Sequence, residues 1–220
     1  MINNIYDSTD NPKYLDTRQN FINAFLREMP EQIPSADYSD AITKIIKEKQ
    51  LFYPTIKLSD NLYKIEGNST VYYWFEQDNK ILLGAELEKE KYALVVRLIG
   101  KPNKGGRPYA SDLYSAILDD KRNVQGEINS IIISDSKLTD EGFNIWAKLL
   151  KNGYKISVYN IADPGSSYVQ IKSSEDLKKY FNDKLSARNY RYVLSESEQY
   201  NSEIWSQFNL YKIRKNSGIL

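Results

Sequence analysis

The chain contains neither cysteine nor histidine. Without cysteine there is no disulfide, no thiolate nucleophile and no sulfur-ligated metal. Without histidine there is no Ser-His-Asp triad, no imidazole base and no histidine-ligated zinc. Acid–base chemistry then falls to a carboxylate, a tyrosine, a lysine, an activated water or a terminus. Any metal would be held through oxygen, which favours magnesium, manganese or calcium. No set of residues is assigned to a metal.

Long apolar runs are missing too. No stretch approaches the roughly 18 residues of a membrane span. The opening residues, Met1 to Ser8, lack a basic start followed by an apolar stretch, so no signal peptide is expected. Charge of one sign is also lacking. Lys and Arg number 30 against 29 Asp and Glu, a formal net charge of +1. No overall field therefore draws the chain to nucleic acid or an anionic membrane, although a local basic patch stays open. A cytoplasmic protein is expected, with its oligomeric state left open.

What is present suits an ordinary folded protein. The 220 residues are 41% hydrophobic, enough to build a sizeable core. Tyrosine is abundant at 18 residues. Together with frequent Asn, Lys and Ile, this reads as the compositional bias of an AT-rich genome rather than as a binding surface.

The chain is organised around residues 92–160. Hydrophobic spacing predicts a strand over 92–99, a loop carrying Gly105 and Gly106, and a helix over 108–120. A strand over 130–134 follows, then a capped helix over 139–152 stopped by Gly153, then a strand over 154–159. Upstream, Phe21, Ile22, Phe25 and Leu26 predict a helix over 14–29 that Pro30 ends. Residues 31–39 read as a loop, and Ile42, Ile45 and Ile46 mark a short helix over 41–49. Alternating runs at 51–58, 61–65, 70–75 and 80–88 predict an antiparallel meander. Downstream come a turn cluster at 161–167, a strand at 168–172, a helix opened by Ser173 and a strand at 187–194. An aromatic tail around Trp205, Phe208 and Tyr211 is expected to dock on the body or on a partner. The expected organisation is a helical extension over 1–50, an α/β core over 51–165 and a C-terminal strand and helix extension over 166–220 packed on that core. The expected fold class is α+β, a mixed and mainly antiparallel sheet flanked by helices.

Three groups of residues carry possible chemistry. Lys104, Gly105, Gly106 and Arg107 lie between a strand and a helix, where glycine amides and a helix N-terminus receive phosphate; the alternative is an ordinary surface loop. Glu86 and Glu88 share one strand face, so one of them can serve as a general base for an amine. The alternative is that they balance Lys89 and Lys91 on a solvated face. With Asp78, the same pair is also similar to a carboxylate–lysine nuclease site, although the spacing fits poorly. Ser134, Asp135 and Ser136 follow an apolar strand, a favoured place for sites, but they also suit capping of the next helix.

The order of elements over residues 70–159 resembles that of GNAT-like acyltransferases. Residues 108–114 and 133–146 are similar in wording to GNAT-like proteins of tailed phages. The resemblance implies that Val95, Val96 and Arg97 belong to the strand whose backbone meets the pantetheine arm of acetyl-CoA. It implies a phosphate loop at Lys104, Gly105, Gly106 and Arg107, and a small substrate-strand residue at Gly84. In that family a tyrosine four residues before a Gly-Phe pair protonates the departing thiolate. Here the pair is Gly153 and Tyr154, and Leu149 stands at the tyrosine's place, so Tyr159 or Tyr154 is left to substitute. The implied activity is acyl transfer from acyl-CoA to an amine, direct because no cysteine can carry the acyl group. The alternative is a phage protein that keeps the fold and works by binding, as a virion component or as an inhibitor of a host factor.

Overall fold

The computed structural model describes residues 35–90, 93–102, 105–122, 131–134, 140–160, 169–181 and 190–195. The chain divides into two units, Met1–Asp37 and Tyr38–Leu220, and the sheet belongs to the second. The helix expected over 14–29, the loop residue Pro34 and the aromatic tail lie outside the described residues.

The described residues form a mixed α+β fold. Four helices and nine strands are described: α1 (Ser35–Gln50), β1 (Ile56–Lys57), β2 (Leu62–Glu66), β3 (Thr70–Gln77), β4 (Lys80–Glu90), β5 (Ala93–Gly100), α2 (Ala110–Arg122), β6 (Ile131–Ile133), α3 (Asp140–Lys151), β7 (Lys155–Asn160), β8 (Val169–Ile171), α4 (Ser174–Lys179) and β9 (Tyr190–Ser195). The strands make one sheet in the order β1-β2-β3-β4-β5-β6-β9-β7-β8. Every pairing is antiparallel except β5 with β6. β8 and β9 are drawn from residues 166–220 and are strands of this same sheet, with β9 between β6 and β7.

Local chemistry explains most boundaries. Asp78 and Asn79 take positive φ in the two-residue turn between Gln77 and Lys80, as a tight hairpin requires. Gly153, at φ 92, ends α3, and the Tyr154 amide donates back to the Leu149 carbonyl at 3.2 Å. The Ser173 hydroxyl accepts from the Asp176 amide at 3.1 Å and opens α4. Two expectations need correction. α1 begins at Ser35, so residues 35–39 are helical rather than loop. The alternating run 51–58 yields only the two-residue β1, because Leu51 and Phe52 turn off the end of α1 through bonds to the Glu48 and Lys49 carbonyls.

The two sheet faces are covered differently. On one face α2, α3 and α4 close a large core that includes Leu94, Val96, Leu113, Tyr114, Ile132, Trp146, Leu149 and Tyr192. On the other, Ile42 and Ile46 of α1 pack with Ile65, Tyr72 and Trp74. Gly84 allows that approach. A Cβ built there meets Ile46 Cδ1 at 2.7 Å and Ile42 Cγ1 at 3.1 Å. The C-terminal end of α2 is fastened by charge. Asp120 accepts from Lys64 Nζ at 3.0 Å and from the Tyr73 hydroxyl at 2.7 Å, and Lys64 also donates to Glu66 at 2.9 Å. Burial pulls the Lys64 pKa down, but its bonds to Glu66 and Asp120 outweigh that and leave it raised.

Candidate functional site

β5 pairs with β4 over most of its length, but with β6 only through Ala93–Ile131, Leu94–Ile132 and Val95–Ile133. Beyond that point Ser134 turns to β9. Its amide donates to the Tyr192 carbonyl at 2.8 Å, and its hydroxyl accepts from the Tyr192 amide at 2.9 Å. At the same level the β4–β5 register slips. Leu87 faces Val96 and Glu86 faces Leu98, so Arg97 is the extra residue of a β-bulge. A bulge bends its strand and tightens the twist. The side chains record the flip, since Val96 joins the α2–α3 core and Leu98 packs on the α1 side. β5 therefore bends where its parallel partner leaves it. Among the described residues, 96–100 pair with no strand on the β6 side, and this break in the pairing is the notch of the β5–β6 edge.

The notch leads into the loop before α2. Gly105 and Gly106 stand at φ 91 and φ 67, in the left-handed region that suits glycine. A Cβ built on either meets nothing within 4 Å, so the outer side of the loop is open. Arg107 is exposed; Lys104 lies outside the described residues. Lys101 gathers the loop by donating to the Gly106 carbonyl and, at 2.9 Å, to that of Pro108. Asp112 accepts from the Tyr109 amide at 2.8 Å and starts α2. Lys148 of α3 lies over the Tyr109 ring at 3.6 Å from its centroid, and Lys101 stands 5.6 Å from the same centroid. Burial lowers the Lys101 pKa, Asp112 raises it and Lys148 lowers it further, with a net fall. Two cations thus converge on a half-open aromatic ring beside the open glycines.

The expected catalytic residues are distributed around this notch rather than collected in it. Glu86 is buried on the α1 side and accepts from the Tyr72 hydroxyl at 3.1 Å, which itself accepts from Thr70 at 3.3 Å. Glu88, two residues on, pairs with Arg97 across the bulge. Tyr159 lies on β7, with β9 and β6 between it and β5. Burial pushes its hydroxyl up to about 12, with Arg191 pulling down and Glu90 pushing up. Val95 ends the β5–β6 pairing and Val96 begins the notch. Ser134 is held by β9, and Asp135 and Ser136 lie outside the described residues. Asp78 stands in the β3–β4 turn. Among the described residues no cluster of carboxylates suits a metal ion, and no helix is long and apolar enough to cross a membrane.

Sequence reasoning missed Lys101, Tyr109 and Lys148. Lys148 belongs to α3, 39 positions beyond Tyr109 in the chain, and no local pattern joins them. Comparison of the chain with family models, with curated proteins and with solved structures gives no match.

Proposed function

We propose that this chain is an acyl-CoA-dependent N-acyltransferase of the GNAT-like kind. The observation that carries the reading is the notch: one parallel strand pair in an otherwise antiparallel sheet, parted at Val95 by the bulge at Arg97 and continued into an open glycine loop. Backbone at 96–100 with no strand partner on the β6 side among the described residues suits the amides of a pantetheine arm, which pair with a strand edge as a further strand does. Gly105, Gly106 and Arg107, with Lys101 and Lys148 beside them, suit a pyrophosphate near the N-terminus of α2. Glu86, oriented by Tyr72, takes the amine proton. Bound acyl-CoA supplies the activated thioester, and transfer to the amine is direct.

The test is calorimetric titration of the full chain with acetyl-CoA and CoA, repeated on the Gly105→Asp, Gly106→Asp double variant. Micromolar binding that the carboxylates abolish supports the reading. A folded wild-type chain that binds neither ligand at millimolar concentration sinks it. A second reading, a phage-type protein that acts by binding a protein partner, is favoured by Leu51 and Phe52. These adjacent apolar side chains are 79% and 72% exposed just past α1. Absence of CoA binding shifts the assignment there.

A further inference from the structure

α2 carries two buried hydroxyls that have no hydrogen-bond partner among the described residues. Ser111 and Tyr114 are 6% and 2% exposed, and neither hydroxyl makes a hydrogen bond among the described residues. Buried polar groups of this kind are rare and call for an explanation. The face they occupy is fixed by the other end of the helix. At roughly 100° per residue, Asp120 and Ser111 stand on opposite margins of the buried face, and Tyr114 falls on the Ser111 side. Asp120 is bonded to Lys64 of β2 and Tyr73 of β3. Ser111 and Tyr114 therefore look the other way, toward β5, β6 and α3. The Tyr114 ring confirms the direction, lying 5.7 Å from that of Trp146 on α3 at a tilt of 50°. Tyr114 shares its core with Leu94, Val96 and Ile132, the residues that flank the point where β5 and β6 part.

We propose that the Tyr114 hydroxyl donates a hydrogen bond to the thioester end of a ligand lying in the β5–β6 notch. The proposal rests on the acyl-CoA reading and gives it a residue that the sequence did not indicate. Leu149, at the position where the resemblance to GNAT-like acyltransferases implies a tyrosine donor, lies one turn from Trp146 on α3 and packs in the same core as Tyr114. The hydroxyl that α3 lacks thus comes from α2. Burial raises the Tyr114 pKa far above the ordinary range, so the phenol is protonated at neutral pH and acts as a donor. A phenol retained for a ligand predicts an unusual combination. Its removal should not harm the free protein, because an unsatisfied buried hydroxyl is unfavourable, yet it should weaken the complex.

The experiment compares wild type with Tyr114→Phe by thermal melting and by titration with acetyl-CoA and with 3′,5′-ADP, which reaches only the phosphate end. The expected result is an unchanged or raised Tm, acetyl-CoA binding weakened roughly 3- to 10-fold, and 3′,5′-ADP binding unchanged. A lowered Tm, or equal weakening of both ligands, assigns the hydroxyl a structural role and overturns the proposal. Unchanged acetyl-CoA binding also overturns it while leaving the acyl-CoA reading intact. Failure of wild type to bind either ligand overturns both.

Discussion

The two ends of α2 present opposite chemistry. At the C-terminal end Asp120 is tied to Lys64 and to the Tyr73 hydroxyl, with Glu66 sharing the lysine. At the N-terminal end Ser111 and Tyr114 are buried with no hydrogen bond to their hydroxyls among the described residues, Lys101 and Lys148 crowd one ring, and two glycines are open to solvent. A buried ion pair whose hydrogen bonds are satisfied fixes geometry and adds little net energy. Unsatisfied groups add nothing in the free protein and gain a role only when something arrives. One end of the helix therefore serves as an anchor, and the other is the end that the proposed acyl-CoA site would use.

The largest effect should come from breaking the anchor. Asp120→Ala leaves the Lys64 ammonium buried with only Glu66 beside it and removes a bond from Tyr73. Loss of one partner from a buried pair typically costs 3–5 kcal/mol. With Glu66 still in place, about 3 kcal/mol is expected, read from the urea midpoint. The double variant Lys64→Met, Asp120→Leu replaces the pair with apolar bulk and should return to within about 1 kcal/mol of wild type. A double variant as unstable as Asp120→Ala would mean that α2 depends on charge itself at this end.

The pH dependence sharpens the same contrast. The folded-state pKa of Lys64 is raised above its usual 10.5. Its contribution is therefore fully present below pH 10.5 and is lost as pH rises through the folded value. Wild type should lose stability on that alkaline limb faster than the Lys64→Met, Asp120→Leu variant, measured by urea melts from pH 9 upward. Parallel curves would remove Lys64 as the cause.

Much of the frame was legible from local pattern. The hairpin at Asp78 and Asn79, the stop at Gly153 and the Ser173 cap are chemical statements made within four residues, and they read correctly. The strand runs from Leu62 to Gly100 alternate clearly enough to give an antiparallel meander. The parting of β5 from β6 was not legible. It depends on a bulge at Arg97 that shifts pairing by one residue, and a single charged residue in an apolar strand reads as an outward-facing position rather than as a slip in register. Nor was the place of β9 between β6 and β7, since a strand pairing across the fold leaves no spacing in the sequence. The run 51–58 misled because Leu51, Phe52 and Tyr53 favour strand, whereas backbone bonds to Glu48 and Lys49 extend the end of α1. No local pattern in the sequence marks Tyr114, or reveals that its buried hydroxyl has no hydrogen bond among the described residues.

The smallest effect on stability should come from Lys148→Ala, at the open end. The exposed ammonium over the Tyr109 ring is worth about 0.5–1 kcal/mol as a cation–π contact. Against this, its repulsion of Lys101 disappears, so the two terms oppose each other and the net change should be within about 0.5 kcal/mol. Lys101 should then titrate at a higher pH than in wild type, because Lys148 is one of the groups that lower it. Affinity for 3′,5′-ADP should fall a few-fold, with a shallower dependence on salt, since one cation fewer meets the phosphates. A Lys148→Ala protein that binds 3′,5′-ADP with wild-type affinity would assign Lys148 to packing on Tyr109. The phosphate-binding end of the proposed site would then consist of the glycine loop and its own cations.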